Sequence, residues 1–503
     1  MSHPDRHRTH LLRCAETDGS RQPELSVLEP RQRPAKPICR DSSAPLRAAN
    51  EAENGVITSW KPEACPRSSW LLILCLHCRR LPLGLCLMQK TGISLFVLFV
   101  SFCVSVSTRA GVLNAPGEDL EVSLVTYGPG AIYWERFGHD AIRIRDRVSG
   151  ESGDINYGVF DFSDSSFLLN FARGHMRYMI DIGTSDINQQ DYIDAGRSVL
   201  VQRLALTPAQ AEALRAFLLW NLQPENKSYD YDYLTSNCST RIRDALNTVV
   251  GGALQSALTT RSAPMTYRQQ IDRLMSAQPW LMLLMDLGLG PSSDRPLNEW
   301  QESFVPMVLA REIRSVHVPD DRGGVQPLVT EEHEVSPNLL KPPRTLPPNL
   351  TWPLGIAGAA IALAILLSRS RYPGLSTYLS IAFLVIAGLL GTLLLALWTL
   401  TTHHAAWANA NLLVFNPFAF GMIGAMWRSR NGNDGGRLVR TMVGIQLGTA
   451  LVGLCIHLLP GSTQQNMPWL LFATSVWIAI AITLWFRGPT LASRLAHKAL
   501  RPS

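Results

Sequence analysis

Apolar and polar positions divide the chain into stretches of different period. Residues 1–69 show neither a helical nor an alternating pattern and are rich in Arg, Pro, Ser and Glu. Such a segment cannot bury enough apolar surface to offset its chain entropy, so it is expected to be disordered. The apolar run 70–76 falls far short of the ~20 residues a membrane span needs. From Met88 the pattern changes: Gln89-Lys90, an apolar run from Ile93 to Val106, then Ser107-Thr108-Arg109-Ala110. A positive start, a short apolar centre and small residues at the end describe a secretory signal peptide over 88–110. Signal peptides stand at the true start of a chain, so residues 1–87 are expected to be a gene-model extension.

Beyond residue 110 the pattern is that of a folded domain. Leu120–Tyr127 alternates enough for a strand, and Gly128-Pro129-Gly130 reads as a turn. Phe137–Asp146 places Ile142 and Ile144 on one face and His139, Ala141 and Arg143 on the other, again strand-like. Asp154–Phe162, rich in Tyr, Val and Phe, predicts a third strand. Thr207-Pro208 opens a helix, with threonine as cap, proline at the first position, and Ala211, Leu214 and Leu218 at helical spacing. A second helix is predicted after Ser236-Asn237, with Ile242, Ala245, Leu246 and Val249 on one face. The domain, 111–317, is therefore α+β.

Residues 318–350 carry Pro319, Pro327, Pro337, Pro342, Pro343, Pro347 and Pro348, and read as a semi-rigid tether. Apolar runs near 352–368, 375–400, 411–427, 438–459 and 468–486 then approach spanning length. They predict an all-α membrane bundle of about five transmembrane helices over 351–486, its third run interrupted by Asn416-Pro417. Arg369, Arg371, Arg428, Arg430, Arg437 and Arg440 fall on one side, together with Arg487, Arg494, Lys498 and Arg501 of the tail 487–503. The alternate loops, 401–410 and 460–467, hold no Lys or Arg. Cytoplasmic loops collect these residues, so the C-terminus is expected inside and the α+β domain outside the cytoplasm.

Composition supports this division. The chain is 46% hydrophobic and only 17% charged, with a net charge of +6, against roughly 25% charged in an ordinary globular protein. That deficit excludes a disordered or nucleic-acid-coating protein and points to membrane segments. Nine cysteines suggest a disulfide framework, but Cys14, Cys39, Cys65, Cys75, Cys78, Cys86 and Cys103 all precede residue 104, leaving Cys238 and Cys455.

Cys238 is the one cysteine of the exported domain and falls in the first turn of the second helix. Unpaired backbone N–H groups and the helix dipole stabilise an anion there, so the thiol is expected to have a lowered pKa and to act as a nucleophile. The alternative is a small buried hydrophobe. Its polar surroundings, Asp230-Tyr231-Asp232-Tyr233-Leu234-Thr235-Ser236-Asn237, favour chemistry. A thiol nucleophile needs a base, and the domain offers His139, His175 and His317. His139, after a glycine at a strand start, is preferred. A third polar group should orient the imidazole; Asn156 on the next strand is the choice, with Asp161 and Tyr157 as alternatives.

The order of a strand histidine, a polar residue on the next strand and a cysteine at a helix start resembles the circularly permuted papain-like fold of lecithin:retinol acyltransferase and related phospholipid acyltransferases. The frames Trp134-Glu135-Arg136-Phe137-Gly138-His139, Asn156-Tyr157-Gly158-Val159-Phe160-Asp161-Phe162 and Asn237-Cys238-Ser239-Thr240-Arg241 are more specifically similar to the Lnb family of bacterial lipoprotein N-acyltransferases. The resemblance spans about 115–500. It implies transfer of a fatty acyl chain from a membrane phospholipid to the N-terminal amine of a lipoprotein, in a multi-pass protein of the bacterial inner membrane. His139 would be the base and Cys238 the acyl acceptor. No cofactor, metal or nucleic-acid partner is implied.

The loop His403-His404…Trp407…Asn409-Ala410-Asn411…Asn416-Pro417 resembles a family feature as well. His403, His404, Asn409, Asn411 and Asn416 are expected either to line a substrate groove, because polar groups at membrane depth are rarely lipid-facing, or to serve as interfacial anchors beside Trp407. Two other function classes remain open on sequence: a membrane-tethered cysteine amidase or peptidase acting on cell-wall peptides, and a non-enzymatic scaffold or transporter subunit.

Overall fold

A computed structural model describes residues 111–160, 165–429, 436–459 and 464–485. The expected leader 1–87 and signal peptide 88–110, Asp161, Arg430 and the basic tail 487–503 lie outside the described residues.

The first part of the domain comprises β1 (Leu120–Tyr127), β2 (His139–Asp146), β3 (Ser152–Val159), α1 (Phe167–Arg173), β4 (Arg177–Thr184), α2 (Ser185–Asp194) and β5 (Val199–Leu204). Next come α3 (Pro208–Asn221), β6 (Ser228–Asp230), α4 (Cys238–Val249), α5 (Ala253–Thr259), α6 (Tyr267–Met275) and α7 (Pro279–Gly288). It closes with α8 (Glu299–Glu302), α9 (Pro306–Glu312), β7 (His317–Pro319), β8 (Val325–Pro327) and β9 (Val329–Ser336).

Seven strands form one sheet in the order β6-β4-β3-β2-β1-β5-β9, antiparallel at every pairing. Alternation assigns the two faces different partners. Val122, Leu124, Ile142, Ile144, Ile155, Tyr157 and Ile180 face α3, α4, α5 and α9, and form the main core. Val125, Tyr127, Ala141 and Val199 face the other way, against Tyr192 and Ile193 of α2. The predicted Thr207 cap of α3 is a full capping box: its hydroxyl accepts from Gln210 N–H, and the Gln210 side chain accepts from Thr207 N–H.

The tether expected from residue 318 begins later. β7 and β8 form a hairpin, and β9 closes the sheet edge against β5. β9 reads Val-Thr-Glu-Glu-His-Glu-Val-Ser and has no apolar alternation. Main-chain bonds hold it, and Arg203 reaches Glu331 at 2.6 Å while Arg314 reaches Glu332 at 2.7 Å. An edge strand held by charges leaves no hydrophobic period to find.

The membrane part contains α10 (Thr351–Arg371), α11 (Pro373–Leu400), α12 (Ala419–Ser429), α13 (Gly436–Ile456) and α14 (Met467–Trp485). Among the described residues, α10, α11, α13 and α14 are long and apolar enough to cross a membrane. These are four spans of full length among the described residues, where about five were expected. The third run breaks into a 3-10 turn, Ala410–Leu413, and α12 of 11 residues, about 16 Å long against a ~30 Å hydrocarbon core. The broken segment sits hard against α11: a Cβ on Gly391 would lie 2.2 Å from Cα of Asn416.

Candidate active site

Local sequence holds Cys238 at the start of α4. Oδ1 of Asn237 accepts from Thr240 N–H at 2.9 Å, and Thr240 Oγ1 accepts from Asn237 N–H at 2.8 Å. Asn237 Nδ2 donates to the carbonyls of Tyr233 and Phe304, both at 2.9 Å. The cap is therefore locked from inside and outside the helix, and Cys238 occupies the first helical position.

The expected low thiol pKa is not found. Burial pushes the thiol up to about 12, with the Asp140 carboxylate adding to the rise. Backbone N–H groups of Asp140, Ser239 and Cys238 itself pull the other way without overcoming it. The side chain keeps a partly exposed edge, yet the sulfur is surrounded by protein. Desolvation penalises a thiolate more than these N–H groups favour it.

His139 begins β2 after Gly138, whose φ of +83° strongly favours glycine. A Cβ at Gly138 would also meet Sδ of Met307 at 2.6 Å and the Tyr127 carbonyl at 2.9 Å. Ala141 pairs with Asn156 across β2 and β3, so His139 and Asn156 share a face as diagonal neighbours. Nε2 of His139 lies 3.0 Å from Asn156 Oδ1. Asn156 Nδ2 donates to the Asp154 carbonyl at 3.2 Å, which leaves the amide oxygen for the ring. That assignment makes Nε2–H the donor and frees Nδ1 as a proton acceptor. Burial lowers the imidazole to about pKa 4 against the Asn156 hydrogen bond that raises it, so the ring is neutral at ordinary pH.

Cys238 lies within electrostatic reach of Tyr192 and Arg197, two side chains that also neighbour His139. The imidazole belongs to the α2 face, flanked by Tyr127 and Tyr192, each 6.1 Å away between ring centres. α4 packs on the opposite face through Ile242, Ala245 and Leu246. The single step from His139 to Asp140 crosses the sheet, and the Asp140 N–H donates to the Cys238 sulfur.

The alternatives separate by position. Tyr157 is buried in the main core, on the face away from His139. His175 is exposed in the loop after α1, and His317 is exposed on β7. Among the described residues no group of three His, Cys, Asp or Glu side chains is placed to hold a metal ion.

The expected groove residues divide. His403 is joined to the domain: its Nδ1 lies 3.2 Å from Tyr233 Oη and its Nε2 3.0 Å from the Phe171 carbonyl. His404 is exposed and meets Trp407 edge to face at 4.4 Å. Asn409 and Asn411 are buried, with Nδ2 of each donating to the Leu287 carbonyl at 2.8 and 3.0 Å. Their amide oxygens accept from Gln464 and Asn466, both at 2.9 Å. These amides clamp Leu287 of α7 to the segments that follow α11 and α13. Asn416 sits deeper, where its Nδ2 donates to Gln446 Oε1.

Sequence reasoning missed several neighbours of the site. Asp140 is fully buried, takes a 2.7 Å hydrogen bond from Thr126 Oγ1, and is pushed by burial up to about pKa 7. Arg197 lies over the Tyr192 ring at 4.5 Å and donates from Nε to the Gly128 carbonyl at 2.7 Å. Only the pairing of β1 with β5, Tyr127 opposite Val199, brings Arg197 there. Between the domain and the membrane helices, Arg268 is buried between Asp286 at 2.8 Å and Asp294 at 2.7 Å, and Trp469 Nε1 donates to Asp286 at 2.6 Å.

Two family models match the chain. Residues 113–273 match the Lnb N-terminal periplasmic domain, and residues 347–489 match the Lnb transmembrane domain. No curated protein and no solved structure matches it. The two matches take in strands β1 to β6 with His139 and Asn156, the helix headed by Cys238, and the membrane helices, and by them the chain belongs to the Lnb family, as a membrane protein with a periplasmic domain.

Proposed function

We propose that the protein is a cysteine acyltransferase that moves a fatty acyl chain from a membrane phospholipid to the N-terminal amine of lipoproteins. The observation that carries this reading is the Nε2–Oδ1 contact of 3.0 Å between His139 and Asn156, which orients a neutral imidazole at the sheet end where Cys238 heads α4. A strand histidine, its polar partner on the next strand and a helix-start cysteine are also the parts of a permuted papain-like enzyme.

In the first half-reaction Nδ1 of His139 takes the Cys238 proton as the sulfur attacks the ester carbonyl. The N–H groups of Cys238, Ser239 and Asp140, which act on the sulfur, would stabilise the negative charge that develops beside it. The tetrahedral adduct collapses with cleavage of the C–O bond, and the imidazolium returns its proton to the departing lysophospholipid oxygen. An acyl thioester on Cys238 remains. In the second half the lipoprotein amine attacks that thioester, the C–S bond breaks, and the amine proton passes through His139 to the sulfur. A resting pair that is neutral on both members suits this sequence, since the charge forms only as bonds change.

Topology supports the reading. Arg369, Arg371, Arg428, Arg437 and Arg440 lie at one end of the helices, a distribution that supports a cytoplasmic C-terminus opposite the periplasmic domain. The broken segment from Asn411 to Ser429 would complete a fifth crossing. Irregular backbone is tolerated at membrane depth where protein surrounds it, and Asn411, Val414 and Phe415 are fully buried.

The test is mass spectrometry of a lipoprotein N-terminus in a bacterial host lacking its own N-acyltransferase. An N-acyl chain that appears with the wild-type protein and not with Cys238→Ala or His139→Ala is expected. A lipoprotein left unacylated by the wild-type protein would overturn the proposal.

A further inference from the structure

We infer that α1 and α7 dip into the outer leaflet of the bilayer, so that the periplasmic domain meets phospholipid at its own surface and not only through the membrane helices. α1 reads Phe-Leu-Leu-Asn-Phe-Ala-Arg and buries no residue. Leu168 is 76% exposed, Leu169 53% and Phe171 40%. α7 reads Pro-Trp-Leu-Met-Leu-Leu-Met-Asp-Leu-Gly, with Trp280 67% and Leu284 48% exposed. A helix of a water-soluble domain turns such residues inward, and an apolar surface of this kind marks an interaction site.

The attachments of the two helices identify the occupant. Both are fastened to the segment that follows the outer end of α11. Thr402 N–H donates to the Arg173 carbonyl at 2.8 Å, two residues beyond Leu400, where α11 ends. Gly290 N–H, just past α7, donates to the Ala405 carbonyl at 2.7 Å, and Leu287 packs into the core of the membrane bundle. Trp398 and Leu400 at the end of α11, and Trp352 at the start of α10, are exposed as well. The apolar surface of α1 and α7 thus continues the lipid-facing belt of the spans. Charge does not oppose insertion: α1 carries only Arg173, in its last turn, and the one carboxylate of α7, Asp286, is buried against Arg268.

The same geometry links lipid to chemistry. Rings run inward from α1, with Phe171 to His403 at 6.4 Å, His403 to Tyr233 at 5.8 Å and Tyr233 to Tyr231 at 6.1 Å, and Tyr231 lies within electrostatic reach of Cys238. A phospholipid drawn against α1 would have an aromatic track toward the thiol.

Benzoylphenylalanine in place of Leu168 or Trp280, in the full chain in bacterial membranes, tests the inference by photocrosslinking and mass spectrometry. Leu395 of α11 provides the lipid-facing control and Val148, in the turn between β2 and β3, the aqueous one. Phospholipid-mass adducts at 168 and 280, as at 395, with none at 148, are expected. Crosslinks at 168 and 280 to a second copy or another polypeptide in place of lipid would overturn the inference, as would no lipid adduct there while 395 gives one. Crosslinking needs no turnover, so its outcome is independent of whether the acyl-transfer reading survives.

Discussion

Nε2 of His139 donates to Oδ1 of Asn156 across 3.0 Å, and Asn156 cannot turn its amide round because its Nδ2 is held by the Asp154 carbonyl. One side chain thereby sets both the tilt and the tautomer of the imidazole. Replacing Asn156 with Ala should remove a hydrogen bond worth about 1.5–3 kcal/mol when charge forms on the ring, or about 10- to 100-fold in kcat/KM. Asn156→Asp should instead raise the imidazole pKa, because a carboxylate favours the charged ring. Its rate profile should then gain an acid limb at higher pH than the wild type. Steady-state rates on a phospholipid donor across pH check both outcomes.

Protonation of the resting pair can be read directly. With His139 lowered to about 4 and Cys238 raised to about 12, thiol and imidazole are both neutral between those values. Alkylation of Cys238 by iodoacetamide should climb about tenfold per pH unit through neutrality, following the thiolate fraction. A plateau reaching down to pH 5 would reveal a preformed thiolate–imidazolium pair and contradict this account.

Asp140 carries the opposite sign. Its carboxyl is raised in the fold to about 7 from an ordinary value of 3.8, so the folded state binds the proton more tightly than the unfolded chain does. The stability this confers is full below about pH 4 and is lost as pH rises through 7. Asp140→Asn should therefore gain thermal stability over the wild type at pH 8 and not at pH 3. It should also speed alkylation of Cys238 by removing a neighbouring negative charge. Thermal melts at the two pH values, with alkylation rates alongside, measure this.

Asn409 and Arg268 should behave as structural fasteners. Arg268→Ala leaves the Asp286 and Asp294 carboxylates buried without their countercharge, a loss of about 3–5 kcal/mol. Asn409→Ala removes its two hydrogen bonds to the Leu287 and Leu289 carbonyls, a loss of about 1–3 kcal/mol. Both should lower Tm in detergent, and Asn409→Ala should leave KM for the phospholipid unchanged. A raised KM with an unshifted Tm would return Asn409 to a substrate groove.

Gly138 tests the approach to the histidine. Alanine there must adopt a positive φ and push against Met307 and the Tyr127 carbonyl, a strain of about 1–3 kcal/mol. Gly150, at φ +77° with open space beyond its Cα, isolates the backbone part. Gly138→Ala should cost more stability than Gly150→Ala and should alone reduce acyl transfer, as melts and rates together would show.

Much of the site was legible because it rests on short-range signals. The cap Asn237, the helix face of Ile242, Ala245 and Leu246, and the strand alternation around His139 all act within a turn or two of chain. The choice of His139 over His175 and His317 depended on context but not on distance along the sheet. What escaped detection lacked a local signal. β9 is charged and edge-bound, Arg197 arrives through the β1–β5 pairing, and Asn409 and Asn411 meet α7 from more than a hundred residues away.

The sequence by itself determined an α+β domain followed by apolar helices, and put Cys238 in the first turn of one helix. Hydrophobic period and helix capping are properties of neighbouring residues, so they survive without a fold. Tertiary structure decided that His139 shares a face with Asn156, that the third apolar run is broken into a 3-10 turn and a short helix, and that the Asn409 and Asn411 amides are bound in a clamp. It also reversed the expected shift of the thiol pKa. The reason is the same in each case: strand register, desolvation and the satisfaction of buried polar groups are sums over atoms brought together from distant parts of the chain, and no window of sequence contains them.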